Sequence, residues 1–492
     1  MFASALEALI ILLDPARLGF MVLGVSVGMI VGVLPGLGGV VGMSLLIPFI
    51  YGMDPYSATA MLIGMAAVIA TADTFPSVLI GVPGSAGSQA TILDGYPLAK
   101  KGQAGRALGA AFSASVIGGV FGALVLFLIL PVARPLVLAF GSPHLFMLTI
   151  LGLCVVGMLA GKYPVRGMLA TVFGIMLSTL GSAPASVSFR YVGDSIYLMD
   201  GISLAILAMG LFAVPEIIDL LADNRAVAKG GQPSHGWTQG IKDTFKHRWL
   251  VLRSSALGVA VGAIPGLGGS VVDWLSYGYA VQTAKDKSQF GKGDIRGVIA
   301  PESSNNAKEG GALIPTLLFG IPGSGTTAVL LGGLILLGIQ PGPSMLTTDL
   351  PITLNILWTL ALANVVGAAA CFALSAPISR LSTIPASKFA PYLLIVMMVG
   401  AYQVTSSWGD LIAFVVIGMV GWLFKSYEWP RAPVLIGFVL APNIERYLTI
   451  SSARYGWSWL ADPIVIFIGL LAIAAVVGGA RIKGKKMEGS DS

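Results

Sequence analysis

Apolar segments separated by short polar loops occupy almost the whole of this 492-residue chain. Several of them approach the roughly 20 residues that a helix needs to cross the hydrocarbon core of a bilayer. The longest polar stretch, residues 223–247, is long enough only for a loop. The pattern therefore predicts an all-α polytopic membrane protein without a separate water-soluble domain.

Two of the apolar segments contain the phrase Gly-x-x-Pro-Gly-Leu-Gly-Gly, at residues 32–39 and 262–269. Such a run cannot stay helical, because Pro lacks an amide hydrogen and Gly is a poor helix former. Irregular backbone at membrane depth is tolerated only where it is buried in protein or lines a cavity. Breaks at matching places in two halves of a chain indicate the binding site of a transporter.

Further matches show that the chain is internally duplicated. Residues 75–85 resemble residues 314–324, and a weaker match joins residues 210–215 to residues 437–442. The offsets of the three matches are 230, 239 and 227 residues, in the same order along the chain. We interpret this order as a duplication of one ancestral repeat.

The positive charges of equivalent loops predict that the two repeats are inverted. Residues 51–57 of repeat one contain no Lys or Arg, whereas the equivalent residues 285–308 contain five. After the second motif the bias reverses, with basic residues in 100–106 and none in 339–349. Because Lys and Arg mark the cytoplasmic side, equivalent loops are expected on opposite sides of the membrane.

This orientation predicts that each repeat has a re-entrant hairpin followed by a discontinuous helix. The predicted segments are an N-terminal segment 1–17, repeat one 18–222 (hairpin 18–50, broken helix 58–91), a cytoplasmic linker 223–253, repeat two 254–446 (hairpin 256–284, broken helix 312–337), an extra span within 447–480 and a cytoplasmic tail 481–492. The other predicted spans are 107–130, 145–160, 167–180, 202–222, 353–374, 389–404, 411–424 and 432–446.

Composition agrees with this membrane assignment. Hydrophobic residues make up 55% of the chain and charged residues only 11%, against about 25% charged residues in soluble domains. The net charge of +6 comes from basic loops beside apolar segments, so it does not indicate nucleic-acid binding. Cys154 and Cys371 fall in apolar segments and are expected to pack there, and the three histidines lack metal-ligand spacing.

A broken helix exposes carbonyl groups at the end of one half and amide groups at the start of the other. The carbonyl groups suit a sodium ion, which predicts cation binding at the hairpin tips and helix breaks. The alternative is that these small residues only allow close helix packing. The predicted cation-binding residues are Pro35, Gly36, Leu37, Gly38, Val82, Pro83, Gly84, Pro265, Gly266, Leu267, Gly268, Ile321, Pro322, Gly323 and Asp73.

Hydroxyl groups follow each break directly, where the positive end of a helix dipole suits a carboxylate. Neither interrupted segment contains Lys or Arg, so neutral donors, helix dipoles and sodium ions would have to hold an anionic substrate. The predicted substrate-binding residues are Ser85, Ser88, Ser324, Thr326 and Thr327, with Asn305 and Asn306 as further candidates.

Asp73 and Asp273 are charged residues in otherwise apolar sequence, and neither has an acidic counterpart in the other repeat. An ionised Asp at a helix centre costs about 2.5–3.5 kcal/mol, which favours a functional role. Asp73 is a candidate ligand of a coupling cation, and the alternatives are a helix cap or a residue facing a water-filled vestibule. Residues 301–306 are interpreted as a solvated cytoplasmic loop, with an inner gate as the alternative.

At these motifs the sequence resembles the large membrane subunit of the tripartite tricarboxylate transporter family. The matching segments are 32–39, 79–109, 262–269, 300–306 and 312–334. The resemblance implies a bacterial inner-membrane system that imports di- or tricarboxylates by sodium symport with an elevator-type motion, and needs no other cofactor. It also implies two partners, a small membrane subunit of about four helices and a periplasmic solute-binding protein, and leaves open a homodimer of the complex.

Two other functions were weighed against this one. A stand-alone carboxylate carrier without a binding protein remains open. An intramembrane enzyme using Asp73 and Asp273 would need a cleft open to lipid and would leave the paired breaks unexplained. The chain contains no Walker, Gly-x-Ser-x-Gly or His-Glu-x-x-His motif with a plausible catalytic setting, so no enzymatic activity is expected.

Overall fold

The computed structural model describes residues 2–34, 37–159, 163–184, 186, 188–222, 236–381, 388 and 390–488. These residues are mostly helical, with one short antiparallel strand pair in which Gly181 lies opposite Arg190. The elements are α1 Phe2–Leu12, α2 Pro15–Val33, α3 Gly38–Leu46, α4 Pro55–Ala72, α5 Thr74–Leu79, α6 Ile92–Lys100, α7 Ala104–Ala139, α8 Ser142–Leu159, α9 Pro164–Ser178, β1 Gly181–Ser182, β2 Phe189–Arg190, α10 Ile196–Met199, α11 Leu204–Ala208, α12 Val214–Ala222, α13 Trp237–Lys246, α14 Arg248–Gly262, α15 Gly268–Thr283, α16 Arg296–Phe319, α17 Gly325–Leu336, α18 Leu350–Ala373, α19 Ser375–Leu381, α20 Ala390–Thr405, α21 Trp408–Ser426, α22 Ala432–Tyr455 and α23 Pro463–Glu488.

Seven helical segments in the described part of the chain are long and apolar enough to cross a membrane. The protein is therefore a multi-pass, all-α membrane protein, as the hydrophobic pattern predicts. The seven segments are Pro15–Val33, Pro55–Leu79, Ala104–Ala139, Leu204–Leu221, Leu350–Ala373, Trp408–Ser426 and Ala432–Tyr455.

Glycines allow the central helices to approach each other closely. A Cβ atom on Gly28 of α2 would lie 2.5 Å from the Met65 carbonyl oxygen of α4. At the equivalent contact, a Cβ atom on Gly258 of α14 would lie 2.3 Å from the Ser304 carbonyl oxygen of α16. Small residues serve this purpose in membranes, where packing replaces the hydrophobic effect as the force between helices.

Both predicted hairpins fold back on themselves. In the first hairpin, a Cβ atom on Gly42 of α3 would lie 3.1 Å from a methyl carbon of Val31 in α2. In the second, Arg253 of α14 donates to the hydroxyl oxygen of Tyr279 in α15 at 3.4 Å, far from the tip. In both hairpins the chain therefore reverses its direction between the two helices, where helix-breaking residues are expected.

The structure corrects several predicted boundaries. The helix before the second break begins at Arg296, not at 312, and the helix before the first break begins at Pro55, not at 58. α22 continues past residue 446 to Tyr455, so residues 447–455 belong to this helix and not to the extra C-terminal segment. The N-terminal segment 1–17 includes α1, where the Ala5 carbonyl accepts a hydrogen bond from the Trp358 indole at 2.8 Å.

The interpretation of residues 301–306 as a solvated loop is wrong. They lie within α16 and are buried, with Asn305 and Asn306 each only 1% exposed. Their polar composition reflects contacts inside the protein. Asn306 donates to Thr71 Oγ1 and to Asn364 Oδ1, both at 2.8 Å.

Candidate functional site

The two broken helices have the same backbone course at their breaks. Gly81 follows α5 and Gly320 follows α16, with left-handed φ angles of +70° and +66°. Glycine adopts this conformation without the strain that a Cβ atom would introduce. The amide of the next residue then donates back to the carbonyl of a helix proline, Pro76 at 3.3 Å and Pro315 at 3.1 Å.

Each break then crosses closely over its own helix. A Cβ atom on Gly84 would lie 2.6 Å from Asp73 Cα, and one on Gly323 would lie 2.8 Å from Ala312 Cα. The amide of each glycine also donates to a hydroxyl of that helix, at 3.4 and 3.2 Å respectively. The same local structure therefore occurs twice, 239 residues apart.

Reciprocal capping boxes follow both breaks. Ser85 and Ser88 form the first, and Ser324 and Thr327 form the second, in which the Ser324 amide donates to Thr327 Oγ1 at 2.8 Å. This motif satisfies two amides that a helix start leaves without partners. Ser88 and Thr327 are buried at 0% and 2% exposure, so these two predicted substrate ligands act as caps in this conformation.

The hairpin tips contact the broken helices in a crossed arrangement. A Cβ atom on Gly39, in the first hairpin, would lie 2.8 Å from Thr326 Oγ1, beyond the second break. A Cβ atom on Gly269, in the second hairpin, would lie 3.4 Å from Gly87 Cα, beyond the first break. Gly39 and Gly269 are 230 residues apart, and Gly87 and Thr326 are 239 apart, so the two contacts are equivalent.

A cavity of about 480 Å³ lies where these four segments meet. It includes predicted residues from both the cation and the substrate set. Those on its wall are Leu37, Gly38, Pro83, Ser85, Asn305, Ser324 and Thr326.

Other predicted cation ligands are not part of the cavity wall. The Gly323 carbonyl, a predicted sodium ligand, already accepts a hydrogen bond from the Gly266 amide at 3.2 Å. Gly268 begins α15, and Pro35 and Gly36 lie outside the described residues. The other described residues of the predicted cation set that do not line this cavity are Asp73, Val82, Gly84, Pro265, Gly266, Leu267, Ile321, Pro322 and Gly323.

The cavity wall also contains charged residues that lie outside the Pro-Gly motifs and were not predicted as site residues. Lys308 forms an ion pair with Glu309, and Arg431 forms one with Glu216 at 2.9 Å. All four line the cavity, so its wall carries charged side chains beside the neutral donors that the sequence predicts. One sign of this role was present in the sequence. Lys308 is charged, whereas its counterpart in repeat one is the apolar Ile69, so the charge breaks the match between the repeats.

Two buried aspartates lie close to the first break. One carboxylate oxygen of Asp73 accepts a hydrogen bond from the Ser85 hydroxyl. One carboxylate oxygen of Asp273 accepts from the Ala90 amide at 2.6 Å. The second oxygen of each is buried without a hydrogen-bond partner among the described residues. The Asp73 side chain makes no capping hydrogen bond, which removes the helix-cap alternative.

A third buried carboxylate, Glu302, belongs to the segment first interpreted as a loop. It accepts hydrogen bonds from Thr74 and Thr91, both at 2.7 Å, and from Ser115 at 3.4 Å. It is fully buried, so these hydroxyls replace the water that a carboxylate would otherwise require. The interaction ties α16 to both sides of the first break.

Asn305 and Asn306 have different surroundings although they are neighbours in α16. Asn305 lines the cavity, and its side-chain oxygen is buried without a hydrogen-bond partner among the described residues. Asn306 does not line the cavity; its side-chain nitrogen donates to Thr71 and Asn364, and its own side-chain oxygen is likewise buried without a hydrogen-bond partner among the described residues. The structure therefore places Asn305, and not Asn306, at the candidate site.

Broken helices and hairpins that meet at a cavity inside a multi-pass helical protein are the features of a membrane transporter component. The family model of the Tripartite tricarboxylate transporter TctA family matches residues 18–436. The chain belongs to this family, which consists of transporters and not enzymes. The family supplies the large subunit of a tripartite system, which implies a small membrane subunit and a solute-binding protein.

Two relatives come from Agrobacterium vitis. The chain is 30% identical over 468 residues to an "Uncharacterized 52.8 kDa protein in TAR-I ttuC' 3'region", covering 94% of this chain and 93% of that protein. It is 32% identical over 223 residues to an "Uncharacterized protein in TAR-II ttuC' 3'region", covering 45% of this chain and 92% of that protein. No solved structure matches the chain.

Proposed function

We propose that this chain is the integral membrane subunit of a sodium-coupled, binding-protein-dependent secondary transporter that imports di- or tricarboxylates across the bacterial inner membrane. The observation that carries this proposal is the convergence of four interrupted segments on one cavity that charged and hydroxyl-bearing residues line. Its volume of about 480 Å³ lies within the range of sites that hold small molecules.

The groups on the cavity wall suit a carboxylate. Thr326 lies in the first turn of α17, where the helix dipole favours an anion. Lys308 and Arg431 also line the wall, each paired with a glutamate that lines it too, and Ser85 and Ser324 are further residues of the wall. Charge-assisted hydrogen bonds from such groups are about twice as strong as neutral ones.

Charge balance argues for a coupling cation. A dicarboxylate entering a cell that is negative inside opposes the membrane potential by about 2.3 kcal/mol per charge per 100 mV. Two sodium ions cancel its charge, and a third makes uptake electrogenic. Asp73, with one oxygen buried and unpartnered beside the first break, is the candidate acidic ligand.

The crossed contacts of the hairpin tips support two repeats related by a two-fold axis. Gly39 meets Thr326 as Gly269 meets Gly87, which is the exchange of partners that such an axis produces. Together with the reversed charge of equivalent loops, this favours repeats inverted in the membrane, with the C-terminus in the cytoplasm. Alternating access is then proposed as an elevator movement of the two hairpins and breaks together.

The test is uptake of radiolabelled succinate and citrate into proteoliposomes containing this chain and its small membrane subunit. Sodium-dependent uptake that also requires the binding protein supports the proposal. Sodium-dependent uptake without the binding protein would instead indicate a stand-alone carrier. Absence of uptake of a wider carboxylate panel, with all partners and a sodium gradient present, would refute the carboxylate assignment.

Asp73→Asn tests the cation site in the same assay. Loss of one charged ligand should raise the half-saturating sodium concentration at least tenfold, because hydrogen bonds and contacts to charged groups are worth about 1.5–3 kcal/mol. The matched control is Asp286→Asn, which removes the same charge from an exposed loop residue. Unchanged sodium dependence in Asp73→Asn would remove this residue from the site.

A further inference from the structure

Arg431 enters the cavity with a carboxylate already bound to it. Its Nη2 donates to Glu216 Oε1 at 2.9 Å, and its Nη1 donates to the Leu211 carbonyl oxygen at 3.1 Å. The guanidinium carbon lies 5.5 Å from the centre of the Phe212 ring, on its face. These contacts hold the planar group in one orientation, as guanidinium stacking does elsewhere.

Glu216 has a second cationic partner that does not line the cavity. Lys425 Nζ donates to Glu216 Oε2 at 2.5 Å. Lys425 also lies 2.5 Å from Asp219 Oδ2, on the same helix as Glu216. If Glu216 moves away from Arg431, its charge therefore remains paired with Lys425, which avoids the large penalty of an isolated buried charge.

We propose that a substrate carboxylate displaces Glu216 from Arg431 when it binds, so that Glu216 is a built-in competitor of the substrate. The inference rests on the proposed function and names a specific anion-binding residue within it. Both partners of the pair line the cavity that contains Ser324 and Thr326. The resident ligand of Arg431 Nη2 is one carboxylate oxygen of Glu216, and a substrate carboxylate offers an oxygen of the same charge to the same donor.

The exchange has a structural consequence. The Glu216–Arg431 pair joins α12 to the start of α22, since Arg431 is the residue that precedes α22. Replacement of Glu216 by a free anion breaks this connection, while Lys425 keeps α12 bound to the end of α21. Substrate binding thus changes the contacts between helices, and a ligand can shift a conformational equilibrium only through such a difference.

A double-mutant cycle tests the exchange. Equilibrium binding of radiolabelled succinate and citrate is measured on the complex purified with its small membrane subunit, for wild type, Glu216→Gln, Arg431→Gln and the double variant. Glu216→Gln should tighten binding, because it removes the competing carboxylate. If the Glu216–Arg431 ion pair is formed in nine of ten wild-type molecules, the gain in affinity should be about tenfold. Arg431→Gln should weaken binding by roughly tenfold or more, through loss of a charge-assisted interaction. In the Arg431→Gln background, Glu216→Gln should give no gain.

The cycle separates exchange from a general charge effect. An equal gain from Glu216→Gln in both backgrounds would overturn the proposal, because Glu216 would then act only as a nearby negative charge. Weaker binding in Glu216→Gln would overturn it too, since the pair would be a structural support. The control is Asp286→Asn, which removes a charge from an exposed loop residue outside this network, and it should leave the affinity unchanged.

Two further measurements keep the result interpretable. Thermal unfolding of each purified complex shows whether a variant is folded. Arg431→Met, which removes the charge but keeps an unbranched apolar side chain beside Phe212, replaces Arg431→Gln in the cycle if that variant is unstable. A wild-type complex that binds neither succinate nor citrate, nor any other carboxylate of a wider panel, contradicts the proposed function. A wild-type complex that binds them without the coupling described here contradicts only the exchange.

Discussion

Replacing Gly84 with Ala places a methyl group where the first break crosses its own helix. The new Cβ atom would lie 2.6 Å from both the Cα and the carbonyl oxygen of Asp73, whereas carbon contacts are normally about 3.5–4.0 Å. The neighbouring atoms are backbone, so the break must move by about 1 Å. Overpacking of this kind costs about 1–3 kcal/mol, which is roughly a 5- to 150-fold fall in the population of the native break.

The measurement is the initial rate of sodium-driven carboxylate uptake, divided by the amount of protein in the membrane. Gly84→Ala should reduce this rate by a factor within the same range, because the break borders the cavity. Gly323→Ala, with a Cβ atom 2.8 Å from Ala312 Cα, should act similarly. Gly278→Ala in α15 is the matched control, because nothing lies within 4 Å of its new Cβ atom.

The reasoning is refuted if Gly84→Ala and Gly278→Ala transport at the same rate per molecule. The close crossing of the break over Asp73 would then have no part in transport. A variant that fails to accumulate is uninformative about the site, so membrane abundance and thermal unfolding are measured for each protein. Gly323→Ala provides the second, independent chance to observe the effect.

Two further predictions concern topology and substrate contact. For the topology, single cysteines are introduced into a variant that lacks the two native cysteines. A cysteine at position 51 or 348 should be labelled from outside intact cells, and a cysteine at position 288 should not. Labelling of positions 51 and 288 from the same side would contradict inverted repeats. Thr326→Val removes a cavity hydroxyl that forms no part of the capping box, and should raise the half-saturating substrate concentration roughly tenfold. Thr327→Val should instead lower the thermal stability of the protein by removing a cap, at a cost of about 1 kcal/mol; equal effects of both on affinity alone would contradict this division.

The helix breaks were predictable because their cause is local. Pro35 and Pro265 cannot donate a backbone hydrogen bond, and the glycines beside them weaken the helix further. Gly81 and Gly320 end their helices in the left-handed conformation that glycine favours. These properties belong to the residues themselves, so a reader of the sequence can find the breaks and their pairing without coordinates.

The burial of α16 could not be read in the same way. Glu302 and Asn305 lie in a polar run that resembles a solvated loop, since no helical apolar stripe passes through it. In the structure the run is helical, and Glu302 is satisfied by hydroxyls from Thr74, Thr91 and Ser115. These partners are distant in the sequence, so local pattern alone carries no sign of them.

The sequence by itself determined the membrane environment and the positions of the repeated motifs at which helices break, because hydropathy and the chemistry of Pro and Gly act over short stretches of chain. Only the tertiary structure decided which side chains face the cavity. Lys308 and Arg431 are 123 residues apart, and neither lies in a break, yet both reach the cavity wall. Ser88 and Thr327, chosen for their hydroxyls, point instead into helix caps. Such assignments depend on packing between distant segments, which is a property of the folded chain.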